Sequence, residues 1–333
     1  MGIFARITDR RSEPQPSAQT LPADPLPKVV LPPIHQPAQS LSIFEGDALL
    51  DPIPLGIGVD GVVHWDPHGR AGLQVFGGTG SGTTEFIRAV VEQCRTRGWQ
   101  VIIADGFGYD FPEFYGAANV SYVGGWRRDP GDDDDCLAAL RLAHHIMVQR
   151  SSTRSASAGT HGHKGFAPML LVLGELAGLL HRWQHHLDEN QFRHVRTMID
   201  DLLRADQELR CYVLIAPASG WRWRSPWPAA AMRCDTVILG RPERAFVAHC
   251  SDPAAMLEAV TAAVPACAPK GRAAFISANR SGSKPVVFQS FWTYNPCTVT
   301  QRYPLDILTQ WERFKLAVSD KTPALHPQLC PAH

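Results

Sequence analysis

Along most of the chain, short apolar runs alternate with longer stretches in which apolar residues recur every three or four positions. The runs read as strands buried on both faces, and the periodic stretches as helices that cover them. The pattern begins after Ser42. Residues 73–76 (LQVF) predict a buried strand that ends on a glycine-rich loop, and the segment behind the loop spaces Phe86, Val90 and Cys94 as a helix does. Further strands are predicted at 100–105 (QVIIAD), 121–125 (SYVGG), 168–175 (PMLLVLGE), 211–217 (CYVLIAP) and 235–240 (DTVILG). GRAAFIS and PVVFQSFW close the pattern as a strand pair. Helices are predicted at 132–150, where a run of aspartates sits at the positive end of the dipole, and in FRHVRTMIDDLLRAD, DPAAMLEAVTAAV and LDILTQWERFKLAV. This order predicts an α/β fold with a mostly parallel sheet covered on both faces. No internal repeat is visible.

Residues 1–42 break the pattern, with prolines at positions 14, 16, 22, 25, 27, 32, 33 and 37. Such a segment builds no useful helix or strand and is expected to be a disordered arm, either a plain tail or a partner-binding tether. Lys+Arg and Asp+Glu are equal at 32 each, so bulk charge points to neither nucleic acid nor a membrane surface. The eight cysteines form no C-x-x-C pair and read as free thiols of a reducing compartment. His161, His163, His185 and His186 join no cysteine at metal-ligand spacing. No apolar run is long enough to span a bilayer, and the first residues fit neither a secretion signal nor a myristoylation site, where Arg6 replaces the required Ser or Thr.

The candidate chemistry lies in VFGGTGSGTTEF, residues 75–86. Gly77, Gly82 and Thr84 fit G-x-x-x-x-G-K-[ST], the loop whose backbone N–H groups cradle phosphates at a helix N-terminus, but Thr83 stands in place of the lysine. Gly77, Gly78, Thr79, Gly80, Ser81, Gly82, Thr83 and Thr84 are the candidate nucleotide-binding residues. The second motif of such sites is an apolar strand ending in Asp-Glu, for Mg²⁺ and for the attacking water. MLLVLGE has Gly174 for the Asp and keeps Glu175, the candidate catalytic residue. Thr84 reads either as a ligand of metal or phosphate or as a helix-capping hydroxyl, and Glu175 either as a water-polarising base or as a solvated strand end.

The chain resembles the FtsK/SpoIIIE family of RecA-like P-loop DNA translocases, which includes actinobacterial conjugative transfer proteins and the coupling ATPases of type VII secretion. DPIPLGIGVDGVVHWD is similar to the family's lead-in, FGGTGSGTT to its loop, IIADGFGYDF to its "liDpKg" segment, and PMLLVLGELAGLL to its second motif. CYVLIAPASGW stands for the strand that ends in a γ-phosphate-sensing Gln, with Ala218 at that position. The matches run in order from Pro52 to Trp292, about seven-tenths of the chain. They imply a RecA-like P-loop domain over 43–300, preceded by the arm and followed at 301–333 by a helix and tail. They also imply ATP and Mg²⁺ as cofactors, double-stranded DNA and FtsK-like subunits as partners, and a cytoplasmic place beside a membrane-bound machine.

The departures qualify each implication. Lysine, magnesium Asp and sensor Gln have become Thr83, Gly174 and Ala218, and no lysine occurs between Lys28 and Lys164. Losing one such electrostatic contact costs about 3–4 kcal/mol of transition-state stabilisation. ATP is therefore expected to be held weakly or not at all, and turnover to be negligible. Lys164 and Arg70 are the nearby cations that could replace the lysine. Trp221, Arg222, Trp223, Arg224 and Trp227 interleave charge and aromatic surface, as DNA or partner contacts do, or pack on the domain's own edge. Three readings stand side by side: a pseudo-ATPase subunit of a transfer or secretion machine, an active translocase with an unorthodox site, and a scaffold without nucleotide.

Overall fold

The computed structural model describes residues 50–68, 70–108, 110, 111, 114, 119–124, 135–157, 166–216, 229–241, 253–265, 268–278 and 284–292. The proline-rich arm, the C-terminal helix and tail, Lys164, Ala218 and the Trp221–Trp227 cluster lie outside them. A hairpin of β1 (Ile53–Gly58) and β2 (Gly61–Trp65) precedes β3 (Gly72–Gly77), which runs through the glycine loop into α1 (Thr83–Thr96). Next come β4 (Gln100–Asp105), β5 (Val120–Gly124), α2 (Asp135–Ser157), β6 (Met169–Gly174), α3 (Leu176–His186) and α4 (Glu189–Arg204). The described elements end with β7 (Cys211–Ala216), β8 (Asp235–Leu239), α5 (Pro253–Ala263), β9 (Arg272–Ile276) and β10 (Val286–Ser290).

These strands form one sheet in the order β2-β1-β10-β9-β8-β3-β7-β6-β4-β5. The stretch from β8 to β5 is parallel, and the flank from β2 to β8 is antiparallel. The apolar runs behave as strands buried on both sides. Met169, Leu171 and Leu173 of β6 pack with Leu140, Leu179 and Ile199 of the helices on one face. Leu170 and Val172 pack with Phe86 and Val90 of α1 on the other. Trp99 stacks on Tyr212 at 4.9 Å, and Trp65 at the end of β2 meets both edge-on at 6.0 Å. That trio ties the hairpin to the parallel half, and each such ring pair adds about 0.5–1.5 kcal/mol beyond its buried area.

Three helices differ from the pattern reading. α2 runs to Ser157 rather than stopping at 150, through residues of low helix propensity. Ser152, Thr153 and Ser155 donate back to carbonyls four residues earlier, and Arg154 pairs with Asp206 and Glu208 at 2.7 and 3.0 Å. Long-range pairing thus overrides local preference. α4 starts at Glu189 because Asp188 and Gln191 form a reciprocal capping box. α3 follows β6 with one residue between them, Glu175, in the left-handed region.

No helix among the described residues is long and apolar enough to cross a membrane. The described cysteines, Cys94, Cys136, Cys211 and Cys234, are free and buried. Burial pushes the Cys94 thiol up to about 12, against the pull of Arg97, so it stays an unreactive thiol near neutral pH.

Candidate nucleotide site

Register sets the site. Asp105 pairs with Gly174, Gly174 with Ala216, and β3 ends beside them at Gly77, so the carboxyl ends of β4, β6, β7 and β3 share one edge. In parallel α/β sheets ligands bind at this edge. A cavity of about 310 Å³ opens there, and Gly77, Gly78, Thr79, Gly80, Gly82, Thr83 and Thr84 line its near side. Ser81, the remaining predicted loop residue, does not line it. The Ser81 N–H donates to the Gly78 carbonyl at 3.0 Å, and its own carbonyl accepts from the Gly271 N–H at 2.8 Å.

The loop's shape depends on two glycines. Gly80 and Gly82 have φ of 78° and 102°, where a side chain is strained. Gly82 caps α1 without any side-chain hydrogen bond, and the first helical bond runs from the Phe86 N–H to the Gly82 carbonyl at 2.9 Å. Thr84 is the second residue of the helix, so the capping reading of its hydroxyl is set aside. Thr83, at the lysine position, turns inward. Its Oγ1 lies 3.2 Å from Ser81 Oγ, and both hydroxyls occupy the space that a Cβ on Gly77 would need, at 2.3 and 2.5 Å.

The far side is lined by Phe107, Asp110, Phe111, Gly174 and Glu175. Asp105 holds this wall together, accepting from the Phe107 and Gly108 N–H groups on one oxygen and from the Asp110 N–H on the other, at 2.9–3.1 Å. Glu175 has φ of 58°, a left-handed conformation unusual for a residue with a side chain. Its carboxylate folds back against Gly178 and its stem lies against Gly106, and neither glycine leaves room for a Cβ beside it. One Glu175 oxygen is buried without a hydrogen-bond partner among the described residues. Burial raises the Glu175 carboxyl to about 7, opposed by the Gly178 N–H and helped by Asp110. Asp110 rises to about 6 through burial and the nearby Asp105, with Arg88 pulling the other way. The solvated-strand-end reading of Glu175 therefore does not hold.

Gly174 has no positive φ, and a Cβ there would sit 3.3 Å from Phe111 Cε2 and 3.5 Å from the Ala104 carbonyl. An aspartate could be built there with a small shift of the ring, so backbone geometry does not require the glycine. No side-chain oxygen stands opposite Thr84 at this position, and the described residues contain no group of three His, Cys, Asp or Glu placed to hold a metal ion. The cradle fits a phosphate chain, whereas the Mg²⁺ ligand set is incomplete.

Of the two substitute cations, Lys164 lies outside the described residues, and the structure corrects Arg70. Arg70 pairs with Asp235 at 2.9 Å and donates to Ser277, and it does not line the cavity. Two cations missed in the sequence do line it, Arg88 and Lys270. Arg88 lies one helical turn beyond Thr84, donates to the Asp110 carbonyl and sits 5.9 Å from the centre of the Phe111 ring. Helical spacing from Thr84 would have found it. Lys270 is brought in from across the sheet by β9, which nothing local in the sequence signals.

No family model and no curated protein matches the sequence. Solved structures do match. The pCW3 conjugation coupling protein TcpA, in its monomer form with ATPγS, gives a TM-score of 0.53 at 17% identity, over 80% of this chain and 70% of that one. EssC (ATPases 2 and 3) from Geobacillus thermodenitrificans gives 0.59 at 12% identity, over 90% of this chain and 53% of that one. The cytoplasmic domain of the Thermomonospora curvata type VII secretion ATPase EccC gives 0.54 at 17% identity, over 87% of this chain and 33% of that one. The chain spans about half of the EssC structure and a third of the EccC structure. At these identities the likeness establishes the fold: the chain has the RecA-like P-loop fold that its ordered motifs imply.

Proposed function

We propose that the chain is a nucleotide-holding pseudo-ATPase, a subunit of a conjugative transfer or secretion machine built on FtsK/SpoIIIE-like ATPases. One observation carries this reading: the phosphate cradle is intact in backbone while residues 83 and 174 have lost the charged side chains that act on a phosphoryl group. The Gly77–Thr84 backbone and the Thr84 hydroxyl would hold the nucleotide. Glu175, with a carboxyl near neutrality, retains a general base's proton affinity. It faces a site with no loop lysine and, among the described residues, no group of three side chains placed to hold a metal ion. In the family Mg²⁺ neutralises charge on the transferred phosphoryl, and here Thr84 alone would remain for it. The reading extends to a place beside FtsK-like subunits on the cytoplasmic side of the machine. It also extends to weak, salt-sensitive duplex DNA contact through Arg222, Trp223 and Arg224, without sequence preference.

Turnover tests it. Purified full-length protein with ATP, Mg²⁺ and duplex DNA is expected to hydrolyse far below 1 s⁻¹, the low end of about 1–100 s⁻¹ seen in kinases. A DNA-stimulated rate at or above that value would make the chain an active translocase instead. One feature favours the scaffold reading. The Ser81 and Thr83 hydroxyls pair with each other over Gly77, so the loop satisfies part of its own polarity without a ligand.

A further inference from the structure

Lys270 is held on the loop by its backbone. The Gly271 N–H donates to the Ser81 carbonyl at 2.8 Å, the Gln289 amide to the Lys270 carbonyl at 2.9 Å, and the Ser290 N–H to the Gly271 carbonyl at 2.9 Å. Gly271 has φ of 82°, and a Cβ there would sit 2.8 Å from both Gln289 Nε2 and Ser290 Oγ, so the close approach requires glycine. The Lys270 stem runs beside Gly82, its Cγ 3.7 Å from the place of a Cβ on that residue. Its ammonium lies 3.5 Å from Glu85 Oε1, in a pair whose lysine is half exposed. That is longer than a charge-assisted hydrogen bond, and exposed pairs of this kind contribute little. A phosphate chain in the cradle carries several charges against one on Glu85, and it would draw the ammonium across.

The opposite wall has a different character. Asp110 and Glu175 line it, Gly174 offers no side-chain oxygen for a metal ion, and Arg88 is engaged with the Asp110 carbonyl and the Phe111 ring. Resting on the nucleotide reading above, we propose that Lys270 supplies the cation missing at residue 83 and that the site takes a nucleoside diphosphate in preference to a triphosphate. The cradle and Lys270 neutralise the phosphates on the loop side. Among the described residues, a third phosphate adds charge toward the carboxylates and meets no cation but Arg88, which is already engaged.

Equilibrium dialysis of the full chain against ADP and ATP, each with Mg²⁺, tests this on the parent, Lys270→Ala, Lys270→Arg and Lys284→Ala. Lys284 is an exposed lysine just before β10 and controls for bulk charge. Circular dichroism confirms that each variant is folded. ADP is expected to bind about fivefold tighter than ATP, and Lys270→Ala to lose about tenfold, equivalent to about 1.4 kcal/mol. Lys270→Arg should keep most of the affinity and Lys284→Ala all of it. A Lys270→Ala protein that binds like its parent, or ATP binding tighter than ADP, overturns the inference and leaves the nucleotide reading standing. A parent that binds neither nucleotide overturns both.

Discussion

The two sides of the cavity have fared differently. The loop side, between β3 and α1, has the glycines that its backbone needs, whereas the far side, at the ends of β4 and β6, carries the Asp110 and Glu175 carboxyls and a glycine at residue 174. The loop is woven into the fold: Ser81 accepts from Gly271, and Gly82 starts the helix that covers one sheet face. Its shape therefore serves stability as well as any ligand. Residue 174 carries no such duty, because its backbone is ordinary and only the Phe111 ring stands close to a side chain built there.

Matched substitutions at the two glycines break or sharpen this contrast. Gly82→Val places a β-branched residue at φ of 102°, and the left-handed region costs ordinary residues about 1–2 kcal/mol or more. The loop should reshape, with nucleotide affinity falling by about a hundredfold, equivalent to about 2.7 kcal/mol. Gly174→Ala meets only a contact of 3.3 Å with Phe111 and should stay within about threefold of the parent. Dialysis with ADP on both variants measures the difference. Equal losses would mean that the far side is as much framework as the loop.

Adding charged side chains to the two sides comes next in size. Thr83→Lys breaks the Ser81–Thr83 hydroxyl pair and puts an amine at the cradle, and Gly174→Asp supplies a carboxylate opposite Thr84. The double variant is expected to bind ATP–Mg²⁺ about tenfold tighter than the parent, equivalent to about 1.4 kcal/mol. Hydrolysis should stay slow if the proposed reading is right, because the double variant restores neither a side-chain amide at residue 218 nor any group from a second subunit. Calorimetric titration checks the affinity. A folded double variant without any gain would show a loop closed by its own side chains and would favour the scaffold.

The sheet was readable in the chain because each buried strand is a run such as LQVF or MLLVLG, and each run supplies both faces of the sheet. The loop was readable because its four glycines, 77, 78, 80 and 82, fall within six residues between a strand and a helix. α3 was not separated from the strand before it, since LVLGELAGLL is apolar throughout and its single break is Glu175 in a left-handed turn. The capping box at Asp188 and Gln191 is legible in the sequence as an acid three residues before a glutamine at a helix start. Lys270 and Asp110 could not be found locally: their place in the site depends on β9 crossing to the loop and on Asp105 folding its own segment back. Arg70 misled because sequence proximity to the loop strand says nothing of Asp235, its partner from β8.

The smallest effect concerns charge on the far side. Glu175 rises from an ordinary carboxyl value of 4.5 to about 7 in the folded chain, mainly through burial. Between those values the folded state keeps a proton that the unfolded state has released. Stability therefore falls as pH rises from 4.5 to about 7 and levels off above. Glu175→Gln removes the charge while keeping the shape and the left-handed backbone. Its advantage over the parent should be absent at pH 4.5 and full at pH 8. After allowance for solvent screening at a partly exposed group, about 1 kcal/mol is expected, or about 2–4 °C in Tm. Paired thermal melts of parent and variant across this range cancel the titrating groups that do not interact with Glu175, while Asp110, whose charge helps to raise it, remains part of the measured difference. A constant difference between the two proteins at all pH values would mean that Glu175 titrates alike in the folded and unfolded chain, and the contrast between the two sides would then lose its electrostatic half.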